Sequence, residues 1–177
     1  MDMRYKTVGK NRLSEIVDAL SKLNTKQLMA YWIDQEVKEG EMYHYLYELS
    51  KEVQWDERVP KLFFRLYQES LGHAEVLLKI FEEMFPKEEL PKVNLPSLEV
   101  ELSKEELERL VRSGRLRDII EYLMGTEILA HDVYKYLAEK SQDEEAKATL
   151  LWLSKIEEGH YKLLRDLYTS LFGLPPE

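Results

Sequence analysis

The sequence contains no cysteine among its 177 residues. This absence excludes a disulfide scaffold, thiolate-bound zinc or iron, a cysteine nucleophile and a thiol redox centre. Only seven glycines and six prolines are present, so turns are few, which favours long helices over a fold of many short strands. The length is that of about one domain.

Long apolar runs and excess positive charge are also missing. No stretch approaches 18 consecutive apolar residues, so we expect no membrane-spanning segment. No apolar segment of the signal-peptide type follows residues 1–6, and we therefore expect a cytoplasmic protein. The net charge is −9, from 34 acidic and 25 basic residues, which disfavours nucleic acid as a partner. An acidic balance is compatible with cation handling and equally with ordinary solubility.

Apolar residues recur at helical spacing along most of the chain. Residues 1–24 are expected to form a leader with a short amphipathic helix over 12–23. The long helices are expected at about 25–53, 60–85 and 116–140, and the fourth is expected to follow a capping box at 141–144 and to end at about 171. Between the second and third, residues 86–115 form a crossover with a short helix that opens at a capping box, 103–106. Two tight turns and one long crossover predict an all-α four-helix bundle over 25–172.

The two halves of the predicted bundle resemble each other. Residues 36–50 align with 127–141, with identical Glu, Tyr, Leu and Ser residues in register. The second and fourth long helices align in the same way, with His73 opposite His160. We interpret this repeat as a duplication, which predicts a bundle with a pseudo-twofold axis.

Charged residues interrupt the apolar seams of three long helices near mid-length. Glu157 and His160 lie in the middle of the seam of the fourth helix, and Glu36 and Glu127 lie on the seams of the first and third. Burying a carboxylate among apolar side chains costs several kcal/mol unless it is paired or bound to a metal. Three acids at matched depth therefore indicate a bound cation.

The second long helix is the irregular member. His73 matches His160, but Ser70 stands at the position that matches Glu157. Glu69 lies four residues before His73 and can therefore share its face of the helix. The spacing leaves two interpretations of Glu69 open, a metal ligand or an exposed acid on the flank of the helix.

Two further residues are candidates by spacing alone. Glu39 follows Glu36 by three residues, and His131 follows Glu127 by four. Both spacings place the second side chain on the same face as the first, so each could reach a site in the bundle.

These residues resemble the signature of the ferritin-like superfamily, specifically that of the rubrerythrin-like di-iron carboxylate proteins. The signature consists of a Glu from each of two helices and a Glu-x-x-His from each of the other two. The matching positions are the single acids Glu36 and Glu127, the pair Glu157 and His160, and the remaining His73. The resemblance covers about residues 25–172 and departs from the pattern at Ser70.

The resemblance implies two iron ions per chain, although manganese or zinc would also suit the ligand types. The implied ligands are Glu36, Glu69, His73, Glu127, Glu157 and His160. Tyr43 and Tyr134, each seven residues after an acid, would hydrogen-bond ligand carboxylates or would pack as ordinary core aromatics.

The implied activity is that of an oxidoreductase that reduces peroxide or dioxygen or oxidises ferrous iron. The cysteine-rich rubredoxin domain of rubrerythrins is not found in this sequence, so the electrons would come from a separate donor protein. A homodimer is expected. The alternative is a bundle with a degenerate or mononuclear metal site that serves as a structural or interaction module, and Ser70 is the feature that favours it.

Overall fold

A computed structural model describes residues 10–98 and 102–174 of the chain. This part contains six helices and no strand, which confirms the predicted all-α class. The helices are α1 Lys10–Ser21, α2 Thr25–Glu52, α3 Arg58–Met84, α4 Lys104–Arg112, α5 Leu116–Lys140 and α6 Glu144–Phe172. Residues 1–9 of the predicted leader lie outside the described part, and the division of the chain at residue 24 stays a prediction.

Reciprocal capping boxes start α2 and α4. The Asn24 side chain accepts a hydrogen bond from the backbone N–H of Gln27 at 2.9 Å, and the Gln27 side chain accepts one from the Asn24 N–H at 3.1 Å. Ser103 and Glu106 repeat the arrangement at α4, as the sequence predicted. Both boxes satisfy backbone donors that the first turn of a helix leaves without partners.

The start of α6 differs from the sequence interpretation in the residue that caps it. The spacing of Ser141 and Glu144 predicts a capping box, but the N-cap is Asp143, whose Oδ1 accepts from the N–H of Ala146 at 2.9 Å. The pattern was matched two residues too early, because the residue immediately before the first helical residue is the one that can cap it.

The four long helices form two hairpins, α2 with α3 and α5 with α6, joined by a crossover that contains α4. Between the hairpins, α3 packs against α6, and α4 contacts α2 and α5. The short helix α1 packs on α5 and buries Ile16 and Leu20. No helix in residues 10–98 or 102–174 is both long and apolar enough to cross a membrane.

Hydrogen bonds to α2 hold the first part of the crossover. The Tyr31 hydroxyl donates to the carbonyl oxygen of Pro96 at 3.0 Å. The buried Gln35 accepts at its Oε1 from the Ser97 hydroxyl at 2.7 Å and from the Leu98 N–H at 3.1 Å. These hydrogen bonds explain why the polar side chain of Gln35 is tolerated in the core.

A layer of polar residues divides the core into two apolar clusters. Cluster 1 includes Leu46, Phe63, Leu66, Leu123 and Leu164. Cluster 2 includes Trp32, Leu77, Leu137, Leu150 and Leu153. The polar layer consists of Glu36, Glu39, Ser70, His73, Glu127, Glu157 and His160. On each long helix these residues lie between a stretch that packs in one cluster and a stretch that packs in the other.

Helices α2 and α3 approach each other closely at the level of the polar layer. A Cβ atom at Gly40 would lie 3.1 Å from the Leu71 side chain and 3.6 Å from the Cβ of Ser70. The first distance is shorter than ordinary van der Waals contact between carbon atoms. The small residues Gly40 and Ser70 therefore allow α2 and α3 to pack closely at this level.

We expect Asp143→Ala to lower the free energy of unfolding by about 1 kcal/mol, because the substitution leaves the Ala146 N–H without its cap. Urea unfolding followed by circular dichroism measures the change. Asp166→Ala, which removes an exposed acid from the same helix, is the control. An equal effect of the two substitutions would mean that Asp143 does not act as a cap.

Candidate metal centre

The acids of the polar layer are almost completely buried. Their exposed fractions range from 0% for Glu157 to 3% for Glu127, and His160 is 2% exposed. His73 of the layer and the neighbouring Glu69 at its rim remain partly accessible, with exposed side-chain fractions of 20% and 33%. Because carboxylates are rarely buried without a partner, the layer needs a positive charge to offset its acids.

Four residues from three helices converge on one point. Glu39, Glu127, Glu157 and His160 each offer one donor atom, and these atoms all lie within 4.8 Å of one another. The His160 Nδ1 is 3.3 Å from a Glu39 oxygen and 3.8 Å from an oxygen of each of the other two acids. Two donor atoms that bind the same ion at about 2.1 Å can lie up to about 4.2 Å apart, so these contacts suit a shared cation.

Glu36 and His73 form a second pair of donors beside this group. The Glu36 Oε2 lies 3.6 Å from the His73 Nδ1, and the ring centres of His73 and His160 are 5.6 Å apart. Ser70, which is fully buried, stands where the signature expects an acid from α3. The second pair therefore offers fewer donor atoms than the group of four.

Glu39 is the residue that the sequence argument left open and that the structure places in the group. In the internal repeat Glu39 aligns with Ala130, whereas Ser70 aligns with Glu157. Each hairpin therefore contributes two acids and one histidine to the polar layer. The additional acid on α2, Glu39, makes up in number for the acid that α3 lacks. The sequence feature that indicated Glu39 was its three-residue spacing from Glu36.

Glu69 and His131 lie outside the group of four. The Glu69 Oε2 faces the His160 Nε2 at 3.3 Å, on the far side of the ring from the buried acids. The His131 Nδ1 lies 2.7 Å from the backbone oxygen of Ser154 and 2.8 Å from its hydroxyl. His131 is thus engaged by α6, and the structure does not bring it to the other candidates.

The two predicted tyrosines lie in different parts of the core. The Tyr43 hydroxyl donates to Glu127 Oε1 at 2.5 Å, and this contact fixes a carboxylate of the group of four. Tyr134 is buried among the apolar residues of cluster 2. The metal-binding role of every candidate residue stays a prediction.

Electrostatic coupling within the group determines its charge. Burial alone would lower the pKa of His160, but the carboxylates of Glu127, Glu39 and Glu69 raise it well above its ordinary value. Burial alone would likewise raise the pKa of Glu127, but contact with Glu157, His160 and Glu39 lowers it to about 2. In the metal-free protein the His160 imidazolium is therefore the cation that offsets the buried acids.

The surroundings of His73 and Tyr43 keep both side chains in their neutral forms. Burial lowers the pKa of His73 to about 4, and repulsion from His160 acts in the same direction. Burial and the nearby Glu127 carboxylate raise the pKa of Tyr43 well above 10.0. Near pH 7, His73 thus presents an uncharged ring nitrogen, which is the form that binds metals, and Tyr43 stays a hydrogen-bond donor.

The donor set fits a transition-metal ion. Within the described part of the chain, Glu127 Oε2, His73 Nδ1 and both ring nitrogens of His160 are buried and make no hydrogen bond of normal geometry. Buried polar atoms are nearly always hydrogen-bonded, and a bound metal ion would replace these ion-pair contacts with direct bonds to the same atoms. Carboxylate oxygens combined with imidazole nitrogens suit iron, manganese or zinc.

Comparison with known proteins agrees with this geometry. The family model for rubrerythrin matches residues 27–168. Among solved structures, a hypothetical protein from Pyrococcus furiosus is similar, with 26% identity and a TM-score of 0.64. The alignment covers 86% of this chain and 92% of that one. No curated protein shows a significant match.

The contribution of His160 to the stability of the metal-free protein is expected to fall as the pH rises. Its folded-state pKa is raised above the unfolded value near 6.5, so the contribution is fully present below pH 6.5 and is lost through the raised pKa. Urea unfolding of the wild type and His160→Gln in EDTA, from about pH 6 to about pH 10, gives the difference. A difference independent of pH would contradict the coupling.

Proposed function

The chain belongs to the rubrerythrin family, and we propose that it holds two iron ions in its polar layer and uses them to reduce hydrogen peroxide. Members of this family are typically di-iron oxidoreductases. The observation that carries the proposal is the convergence of Glu39, Glu127, Glu157 and His160 inside an apolar bundle. An acidic group at this depth requires a cation, and its donor types suit iron.

The six candidate ligand residues divide into two unequal sets. Glu39, Glu127, Glu157 and His160 would hold the first ion, and Glu36 and His73 would supply protein ligands for the second. Because the second set has fewer protein donors, we expect two ions to bind with different affinities.

The residues around the centre have separate tasks in this function. When bound, a pair of ferrous ions supplies the two electrons with which one peroxide and two protons become two molecules of water. Tyr43 holds Glu127 in place through its hydroxyl, and clusters 1 and 2 exclude bulk water from both sides of the layer. His73, which is partly exposed, marks a side of the layer that a small neutral molecule can approach.

Burial of the acids favours peroxide reduction over ferrous-ion oxidation. An enzyme that oxidises and releases iron must let ions pass repeatedly, whereas the acids of the group are at most 3% exposed. Such ligands suit resident ions and a small uncharged substrate. We expect a separate protein to donate the electrons, as the family suggests, and we expect the chain to act as a homodimer.

A metal-poor bundle that serves as an interaction module is the second candidate. Ser70 supports it, because a buried hydroxyl replaces the carboxylate that the family signature expects from α3. Glu39 argues against it, since the additional acid on α2 keeps the number of carboxylates in the layer at four. The iron content of the purified protein separates the two candidates.

We expect about two iron ions per wild-type chain after anaerobic loading and a content lowered by about half in Glu39→Ala and Glu157→Gln, because each variant loses a donor of the group of four. Elemental analysis measures the content. Glu41→Ala, which removes an exposed acid from α2, is the control and should retain both ions. Loading of Glu39→Ala equal to that of the control would remove Glu39 from the centre.

The iron-loaded, reduced protein is expected to consume one hydrogen peroxide per ion pair, because two electrons are available. Rapid mixing under anaerobic conditions, with residual peroxide and ferric iron measured together, tests the balance. Glu157→Gln at the same total iron concentration corrects for free iron. Equal consumption by both proteins would overturn the proposed activity, and a reaction with dioxygen alone would replace peroxide as the substrate.

A further inference from the structure

The two histidines of the polar layer have different surroundings. The His160 Nδ1 faces the buried acids, whereas its Nε2 faces the Oε2 of Glu69 at 3.3 Å. His73 instead meets the edge of the Trp152 ring, with the ring centres 5.7 Å apart. A carboxylate therefore lies behind one imidazole, and an aromatic ring lies beside the other.

The internal repeat shows that a carboxylate at this position is present on α3 but not at the aligned position of α6. Trp152 of α6 occupies the position that aligns with Arg65 of α3, and Ile156 aligns with Glu69. Helix α3 thus presents an ion pair toward the histidine of α6, while α6 presents apolar side chains at the corresponding positions. The pseudo-twofold symmetry of the ligands does not extend to the residues that surround them.

The two oxygens of Glu69 have different neighbours. Its Oε1 accepts a hydrogen bond from the Arg65 Nε at 2.7 Å, and its Oε2 is the oxygen that faces His160. Arg65 is exposed, so the ion pair connects the rim of the bundle to the buried ring. A carboxylate shared in this way is placed to hold the ring from behind, because the ring separates it from the acids that surround Nδ1.

We propose that Glu69, held by Arg65, is a positioning residue that keeps the Nδ1 of His160 turned toward the acids of the metal centre. This inference rests on the proposed function and differs from the ligand role that the family resemblance implied for Glu69. A carboxylate behind a metal-binding imidazole fixes the orientation of the ring and increases its basicity, and its removal lowers metal affinity by about tenfold to a hundredfold.

Binding of Zn²⁺, which is redox-silent, tests the inference without any activity measurement. Chelator competition gives the affinity and elemental analysis gives the number of ions bound at saturation. The variants are Glu69→Ala and Glu69→Gln, and Glu82→Ala, which removes an exposed acid from α3, is the control. Thermal unfolding of each metal-free variant shows that the fold is retained.

We expect Glu69→Ala to weaken Zn²⁺ binding by about tenfold to a hundredfold with the number of bound ions unchanged. Glu69→Gln should recover most of the affinity, because its amide oxygen can still accept from the Nε2 side. A reduced number of bound ions in Glu69→Ala would make Glu69 a ligand and would overturn the inference. Zn²⁺ affinity of Glu69→Ala equal to that of the control would also overturn it, and so would a Zn²⁺ affinity of Glu69→Gln as low as that of Glu69→Ala. A wild type that binds no metal would overturn the proposed function as well.

Discussion

Four carboxylates are buried at mid-height in an apolar bundle, and their negative charge is the main electrostatic constraint on this core. Clusters 1 and 2 exclude water above and below these acids, which makes an uncompensated negative charge there very unfavourable. In the metal-free protein the positive charge comes from His160, which lies between Glu39, Glu127 and Glu157 on one side and Glu69 on the other. A metal ion would take over the same task with greater charge, so the apolar packing that stabilises the bundle also creates the demand for a cation.

The two hairpins reach the same donor count by different routes. The α5 and α6 hairpin follows the family signature, with Glu127 on one helix and the pair Glu157 and His160 on the other. The α2 and α3 hairpin is closely packed at Gly40 and Ser70, and its second acid, Glu39, comes from α2. The second carboxylate of this hairpin therefore lies on α2 and not on α3, which is possible because a long flexible side chain can reach one point in the core from either of two adjacent helices.

Sequence reasoning predicted the helices and most of the polar layer because both follow from periodicity along a single helix. The capping box of α4 and the inward positions of Glu36, Glu127, Glu157 and His160 were expected on these grounds and lie where predicted. Periodicity was less informative for residues three or four positions from another candidate ligand, because both spacings place a side chain on the same face of the helix. Spacing admitted Glu39, Glu69 and His131, and the expected ligand set took only Glu69 of the three. In the structure Glu39 lies in the group of four, Glu69 faces the back of His160 and His131 contacts Ser154.

Apolar spacing along the chain was sufficient to predict an all-α bundle with acids and histidines at matched depth, since it specifies which face of each helix turns inward. The packing of the helices was needed to learn which of these side chains meet, that Glu39 lies near the layer position where α3 has Ser70, and that one histidine has a carboxylate behind it. Helical periodicity specifies a direction around one axis, whereas the distance between atoms on different helices depends on how closely and at what height those helices pack.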